Sequence, residues 1–409
     1  MLKRIGVEQL RLGMHIHEFC GSWMDHPFWR GAFLLDDPKD LQTILSTGLK
    51  EAWIDTSKGL DVDGGTTREA VAAEVEATLA QVEVSSKPET RANIAQEAAR
   101  AVKICAQSKQ AVASMFHEAR MGKALDVGDA LPIVEEISTS VMRNPGALIS
   151  LARLKNKDEY TYMHSVAVCA LMVSLARTMG FNDEQTRQAG LAGLLHDVGK
   201  MMIPPEILDK PGKLTEAEFD TMKSHPAEGH RMLLEGVGIG ELALDVCLHH
   251  HEKVDGSGYP DGLAGGEISL YARMGAVCDV YDAITSNRPY KNGWEPAESI
   301  RKMAEWSKGH FDQRIFEAFV RSIGIYPIGS LVRLESEMLG VVIEQNEQSL
   351  LKPMLMVFFS IKSNGRVPPV SLDLSKPACK DKIVSHEDPA KWDIRDTQAL
   401  WSGLAVTPW

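Results

Sequence analysis

The stretch Leu194-Leu195-His196-Asp197-Val198-Gly199-Lys200 sets an imidazole, a carboxylate and an ammonium directly behind an apolar run. Imidazole beside carboxylate is a donor pair for a divalent metal, and a lysine next to it is a partner for an anion. The chemistry on offer is metal-assisted reaction of an anionic substrate. On a continuous helix His196 and Lys200 would share a face, with Asp197 about 100° round from His196, so all three could border one cavity. A histidine-aspartate pair alone carries little, but more donors follow. Seven of the thirteen histidines fall between Tyr160 and Pro260, where an even spread would place about three. Among them are His164, His196, His225 ahead of Pro226, and the run His249-His250-His251, with Asp279 on a further helical segment.

Imidazole and carboxylate donors suit iron, manganese, zinc or nickel, and the lack of a cysteine cluster argues against a structural zinc knuckle. A carboxylate can bridge two ions, the role that falls to Asp197. Two ions about 3.5–4 Å apart orient a hydroxide and neutralise a phosphodiester during in-line attack. Any one of these histidines could be an ordinary core residue; the ordered set reads as a metal centre. Directly after His250-His251-Glu252 comes Asp255-Gly256-Ser257-Gly258-Tyr259-Pro260, a tight loop placed to shape the site. Arg288-Pro289-Tyr290-Lys291 then sets two cations at a rigid bend beyond Asp279, where arginine can clamp a phosphate and lysine can neutralise it.

The elements that position these residues can be read in outline. Met14 to His17, Ala32 to Leu35 and Ala52 to Ile54 are strand-like, and His15 and His17 on one strand face read as structural or surface residues. Trp23, Phe28 and Trp29 read as packing. Asp61 to Gly65 reads as a linker, Arg68 to about Val84 as a helix, and Ser85 to Pro88 as a break. A longer helical pattern runs from about Glu89 to Met121, its apolar stripe reading as packing before a dimer seam. From Leu131 to Gly324 the pattern is helical, with capping-box spacing at Thr215/Glu218 and Asn182/Gln185. Beyond Pro327 the segments Ser330 to Arg333, Gly340 to Glu344 and Met354 to Ile361 are strand-like, Ser363-Asn364-Gly365 marks a turn, and the remainder reads as an irregular tail.

The chain of 409 residues carries a formal net charge of -12, which argues against broad nucleic-acid binding. Six scattered cysteines fit a reducing cytoplasm. The apolar run Val166 to Ala176 is too short to span a bilayer, and the charged N-terminus lacks a signal-peptide core.

In order, His164, LLHDVGK, KSHPAEG, HHEKVDGSGYP and AVCDVYDAITSNRPYK resemble the HD-GYP family of bacterial signalling phosphodiesterases, a branch of the HD-domain metal hydrolases. The likeness covers about half the chain. The N-terminal segment, with Gly21-Ser22-Trp23 and His26-Pro27-Phe28-Trp29, resembles an uncharacterised domain often fused ahead of such modules. The resemblance implies a mainly α protein with an all-helical HD-type catalytic domain over 131–325. A small β-containing domain would occupy 1–60, a helical connector 61–130, and a small β-rich domain with its tail 326–409.

It further implies that His164, His196, Asp197 and Asp279 hold one metal, while Asp197 bridges to a second held by His225, His250 and His251. The ions would be iron or manganese, with zinc or nickel as alternatives. Lys200 would contact a substrate phosphate, Arg288 and Lys291 would grip the cyclic dinucleotide, and Gly258-Tyr259-Pro260 would shape the pocket. His230 and His249 fall outside the pattern. The implied reaction is cytoplasmic hydrolysis of cyclic di-GMP to linear pGpG. A third metal, and with it a further cut to GMP, would need a glutamate one turn before His164, where this chain has Tyr160; Glu159 lies off that face. The rivals are a phosphodiesterase for another cyclic dinucleotide such as cyclic GMP-AMP, a catalytically weak receptor, and an oxygenase of the di-iron HD type. A homodimer or a signalling partner would engage the flanking domains.

Overall fold

The computed structural model describes residues 1–21, 32–46, 49–82, 92–154, 160–210, 214–286, 293–346 and 348–404. Trp23, Phe28, Trp29, Ser85 to Pro88, Glu159, Arg288 and Lys291 lie outside the described residues, and Tyr160 is described by its backbone alone.

The strands Leu2–Gly6, His15–Cys20, Phe33–Leu34, Glu51–Asp55 and Thr66–Thr67 form an antiparallel sheet with Glu51–Asp55 at its centre, paired on both sides. Alternation along these strands turns Ile5, Ile16, Phe19, Ala52 and Ile54 inward, where Ile44 of the helix Pro38–Ser46 closes a core belonging to this sheet. His15 and His17 sit half-buried on it and belong to no cluster of metal-binding groups among the described residues.

The helical body begins with Arg68–Ala80, capped by the Thr67 hydroxyl, and Ile94–Arg120, capped by the Asn93 side chain. The stripe Ala98, Ala101, Cys105, Val112 and Phe116 of the second helix is buried against Val127–Arg143, Pro145–Ala152 and Tyr160–Thr178. The seam that could have served assembly is thus covered within the chain. Both capping boxes, at Thr215/Glu218 and Asn182/Gln185, are formed. Tyr160–Thr178 is buried on every side from Met163 to Ala176, as an apolar central helix must be. Around it stand Asp183–Leu195, His225–Leu234, Glu241–His249 and Leu270–Thr285, backed by Pro296–His310 and Gln313–Ile323. Among the described residues no helix is long and apolar enough to cross a membrane.

A second antiparallel sheet follows, from Leu331–Leu334, Met338–Glu344, Met354–Ser360, Gly365–Asp373 and Ile383–His386. It has no core of its own: Leu331, Val341 and Phe358 share one buried cluster with Phe116, Ile137 and Leu148. The segment expected as an irregular tail is instead ordered through the turn Pro389–Trp392 and the helix Thr397–Ser402. Ile394 and Trp401 anchor it in the core, two residues spaced too sparsely to show as a periodic pattern.

Candidate metal centre

Seven side chains from five places in the chain converge in the helical body. His164 projects from the first turns of Tyr160–Thr178, and Asp279 from Leu270–Thr285. His196 caps the C-terminus of Asp183–Leu195, with Asp197 next in line. His225 opens His225–Leu234, its helical start fixed by Pro226, and His250 and His251 end Glu241–His249. All seven are buried.

The convergence depends on glycine at two points. A Cβ on Gly199 would stand 1.9 Å from the His225 carbonyl oxygen and 2.4 Å from the Gly229 nitrogen, so the turn after Asp197 presses backbone to backbone on the helix of His225. A Cβ on Gly258 would stand 2.4 Å from both the Glu252 Cα and the Lys253 nitrogen, which seats the Gly-Tyr-Pro loop directly behind the paired histidines.

Two groups of ligand atoms result, His164, His196 and Asp279 in one and His225, His250 and His251 in the other, each within 4.8 Å. Asp197 lies between them. Its Oδ2 is 3.3 Å from His164 Nε2 and 3.4 Å from His196 Nε2, while its Oδ1 is 3.3 Å from His225 Nε2 and 3.7 Å from His250 Nε2.

The protons on these rings are fixed from behind. Nδ1 of His196 donates to the Gly193 carbonyl at 2.8 Å, that of His225 to Met222 at 2.8 Å, and that of His250 to Cys247 at 3.0 Å. Each Nε2 therefore presents a lone pair inward. His225 and His250 point these lone pairs at each other across 3.4 Å and at Asp197 Oδ1, an arrangement of acceptors facing acceptors that only a cation resolves. Asp197 Oδ1 and Asp279 Oδ2 are buried with no hydrogen-bond partner, which is costly unless a positive charge stands before them. The residues present fit a metal.

The electrostatics keep most of the donors in ligand form. For His164 burial works downward, but hydrogen bonds to Asp197, Asp279 and Asp282 outweigh it and push the ring up to about 9, so a metal must displace a proton there. Burial, then the neighbouring charge of His196, pushes His250 down to about 3. Burial, with His250 and His225 beside it, likewise holds His251 well below the usual imidazole range. For Asp197, burial works upward but is outweighed by the neighbouring charges of Lys200 and His196 and by the His164 and His225 rings against its oxygens, leaving the carboxyl well below its ordinary value. Asp279 is held down in the same way by His164 and His196 against the effect of burial. Neutral imidazoles and ionised carboxylates are the metal-binding forms.

One geometric expectation is corrected. The helix does not continue through Lys200: it ends at Leu195, and Val198–Met202 is a 3-10 turn, with Lys200 N bonded to the Asp197 carbonyl at 3.0 Å. The Gly199 contact forces the chain to turn there. Lys200 therefore folds back onto the Asp197 carboxylate, to which its Nζ donates, instead of sharing a helix face with His196.

Two buried carboxylates escaped sequence reasoning. Asp282, one turn beyond Asp279, lies 2.6 Å from His164 Nδ1 and is also met by Ser286 Oγ at 3.2 Å. Glu252 accepts the backbone N–H groups of Asp261 at 2.8 Å, Gly262 at 3.0 Å and Leu263 at 3.0 Å, clamping the loop that carries Tyr259 and Pro260. Their signals were the Asp279/Asp282 spacing and the position of Glu252 right after His251. Tyr259 stacks on His251 at 4.7 Å, with Pro260 exposed behind it. His249 is turned away to Asp245 and Asp261. The N-terminal sheet also reaches this loop, since Lys50 forms an ion pair with Asp255.

Residues 145–315 match the HD domain family, and residues 2–130 match a domain of unknown function. A cyclic di-GMP phosphodiesterase of Pseudomonas aeruginosa is 55% identical over 406 residues, covering 99% of this chain and 97% of that protein. A cyclic di-GMP phosphodiesterase response regulator of Xanthomonas campestris is 42% identical over 182 residues, 42% of this chain and 47% of its own. A 3'3'-cGAMP-specific phosphodiesterase of Vibrio cholerae is 39% identical over 167 residues, 41% of this chain and 38% of its own. The first of these likenesses runs end to end, through both flanking regions as well as the helical body, and on it the chain belongs to the HD-GYP family of HD-domain phosphodiesterases.

Proposed function

We propose that this protein hydrolyses cyclic di-GMP to linear pGpG at a centre of two divalent metal ions. The observation that carries the reading is the division of Asp197: one carboxylate oxygen faces His164 and His196, the other faces His225 and His250, and the second is buried without a hydrogen bond. His164, His196 and Asp279 would hold one ion, His225, His250 and His251 the other, with Asp197 shared. The nitrogen and oxygen donor set suits iron or manganese, with zinc or nickel as alternatives. Ions in such a site supply Lewis-acid stabilisation of a phosphodiester and a water acidified toward neutral pH.

The chain's own groups do the rest. Lys200, mostly buried beside Asp197, is placed to meet a phosphate oxygen and offset charge developing there. The loop Gly258-Tyr259-Pro260, held by Glu252, walls the second histidine group and limits where the substrate can lie. Arg288 and Lys291 are assigned the grip on the dinucleotide by their place in the RPYK motif. Tyr160, in place of a glutamate, favours two ions and accumulation of pGpG. The likeness to the Pseudomonas enzyme along the whole chain supports cyclic di-GMP as the substrate. Six free thiols fit action in the cytoplasm, and the flanking domains are the surfaces for a second copy or a signalling partner.

The test is turnover by protein loaded anaerobically with Fe(II) or Mn(II). Cyclic di-GMP should be cleaved to pGpG, and Asp197→Ala should abolish cleavage while leaving the circular dichroism spectrum intact. Full activity in that variant would overturn the assignment. The Vibrio relative named for 3'3'-cGAMP makes that dinucleotide the second substrate to assay side by side. Faster turnover of it would move the reading to that substrate.

A further inference from the structure

A cavity of about 710 Å³ opens at the seam between the helical body and the C-terminal sheet. None of the metal-binding residues lines it. Arg177, on its wall, stands thirteen residues beyond His164 on the same helix, about 20 Å along the axis. The volume is that of a site for a nucleotide-sized molecule.

Three guanidinium groups, Arg153, Arg177 and Arg321, line this cavity, and each is half-buried. The side chains of Arg153 and Arg321 make no hydrogen bond or ion pair among the described residues. Elsewhere in this acidic chain a partly buried arginine finds its carboxylate, as Arg143 finds Glu97. Two unmatched guanidinium groups lining one recess make an anion-binding arrangement. Asp183 is the single carboxylate among the described lining residues, and it lies exposed in the first turn of Asp183–Leu195, where the helix dipole favours a negative charge. Tyr281 and Glu295 feel the charge of Arg153, yet neither forms an ion pair with it.

The rest of the wall is suited to a flat, partly polar group. Ile149, Phe181 and Leu350 give an apolar side. Gln345 spends its Nε2 on the Tyr326 carbonyl at 2.6 Å and keeps a buried Oε1 with no donor. Cationic groups together with apolar contacts are the needs of phosphate and base.

We propose that this cavity is a second ligand site, separate from the metal centre, that binds a phosphorylated small molecule of the nucleotide class. Phosphates sit among Arg153, Arg177 and Arg321, and the base lies against Ile149, Phe181 and Leu350.

The test uses the full-length chain, treated with EDTA to silence the metal centre, and fluorescence anisotropy of a methylanthraniloyl derivative of GTP. Saturable binding is expected, displaced by unlabelled GTP and, at higher concentration, by inorganic pyrophosphate. The double variant Arg153→Gln with Arg321→Gln should bind at least tenfold more weakly, while its metal-loaded turnover of cyclic di-GMP without added GTP stays within twofold of wild type. Absence of saturable binding to the wild type, or equal binding by the folded double variant, overturns the proposal. Should the double variant not fold, protection of the wild type decides: the GTP derivative should shield Arg153 and Arg321 from phenylglyoxal, as read by peptide mass, and unshielded arginines overturn the proposal.

Discussion

Asp282 holds His164 from behind, with its Oδ2 2.6 Å from the ring Nδ1, so that the opposite nitrogen faces Asp279 at 2.9 Å. A carboxylate in that position fixes both the ring's angle and its basicity. The Asp282→Asn variant keeps the shape and removes the charge. It should lower metal affinity about 10–100-fold, with turnover recovered in excess metal. Affinity is read by competition with a chelator; an unchanged value would remove Asp282 from the positioning of His164.

Glu252 is expected to matter without touching a metal. Its two oxygens accept three consecutive backbone N–H groups, and glutamine would turn an N–H donor toward one of them. Glu252→Gln should cost about 1–3 kcal/mol of stability. It should also lower kcat/KM about tenfold to a hundredfold by loosening the Tyr259 loop, with metal content unchanged. Loss of metal in step with activity would contradict a role confined to the loop.

The contact at Gly199 predicts a different failure. A methyl group there meets the His225 carbonyl at 1.9 Å, and relief requires the helix His225–Leu234 to move. Gly199→Ala should destabilise the fold by about 1–3 kcal/mol and release the ion assigned to His225, His250 and His251. Elemental analysis should then find fewer metal ions per chain than in wild type, with turnover lost. Full metal content with normal turnover would refute the argument.

Far from the site, Glu97 is wholly buried and binds Arg143 through two bonds, of 2.8 and 2.9 Å, and the Ser140 hydroxyl at 2.7 Å. Burial alone would raise this carboxyl, but Arg143 and Ser140 outweigh it and hold it below the ordinary 4.5. A depressed carboxyl contributes stability above its ordinary value and loses it as the pH falls through the lowered one. Glu97→Gln should therefore cost about 2–3 kcal/mol near neutrality, the open side of Arg143 keeping it below the figure for a fully enclosed pair. The gap in Tm between variant and wild type should narrow as the pH drops below 4.5. A gap independent of pH would mean the ion pair is not its source.

The convergence of the seven side chains was legible because histidines and aspartates are seldom buried without a task, and their order along the chain is distinctive. Their partners were less so. Asp282 and Glu252 act through another residue or through backbone, which leaves only a spacing in the sequence. Lys200 was expected on the same helix face as His196 because a helix pattern continues past Leu195; the tertiary contact at Gly199 ends the helix instead. The strand Gly365–Asp373 was missed for a local reason. It contains Pro368 and Pro369 and lies largely exposed at the sheet edge, where proline is tolerated and no apolar alternation is required. Leu2–Gly6 was obscured because Lys3 and Arg4 interrupt its apolar alternation. The arginine cavity has no motif at all, since its walls come from distant segments that meet only in the fold.

The C-terminal sheet lays Leu331, Val341 and Phe358 into the same cluster as Phe116 and Leu148. A fragment cut to residues 145–315 would strip both the long helix Ile94–Arg120 and this sheet from the catalytic helices, baring a broad apolar surface that favours aggregation. Such a fragment should be recovered only in insoluble form, whereas the whole chain should stay monodisperse. In this chain the catalytic helices borrow their rigidity from segments that never meet substrate.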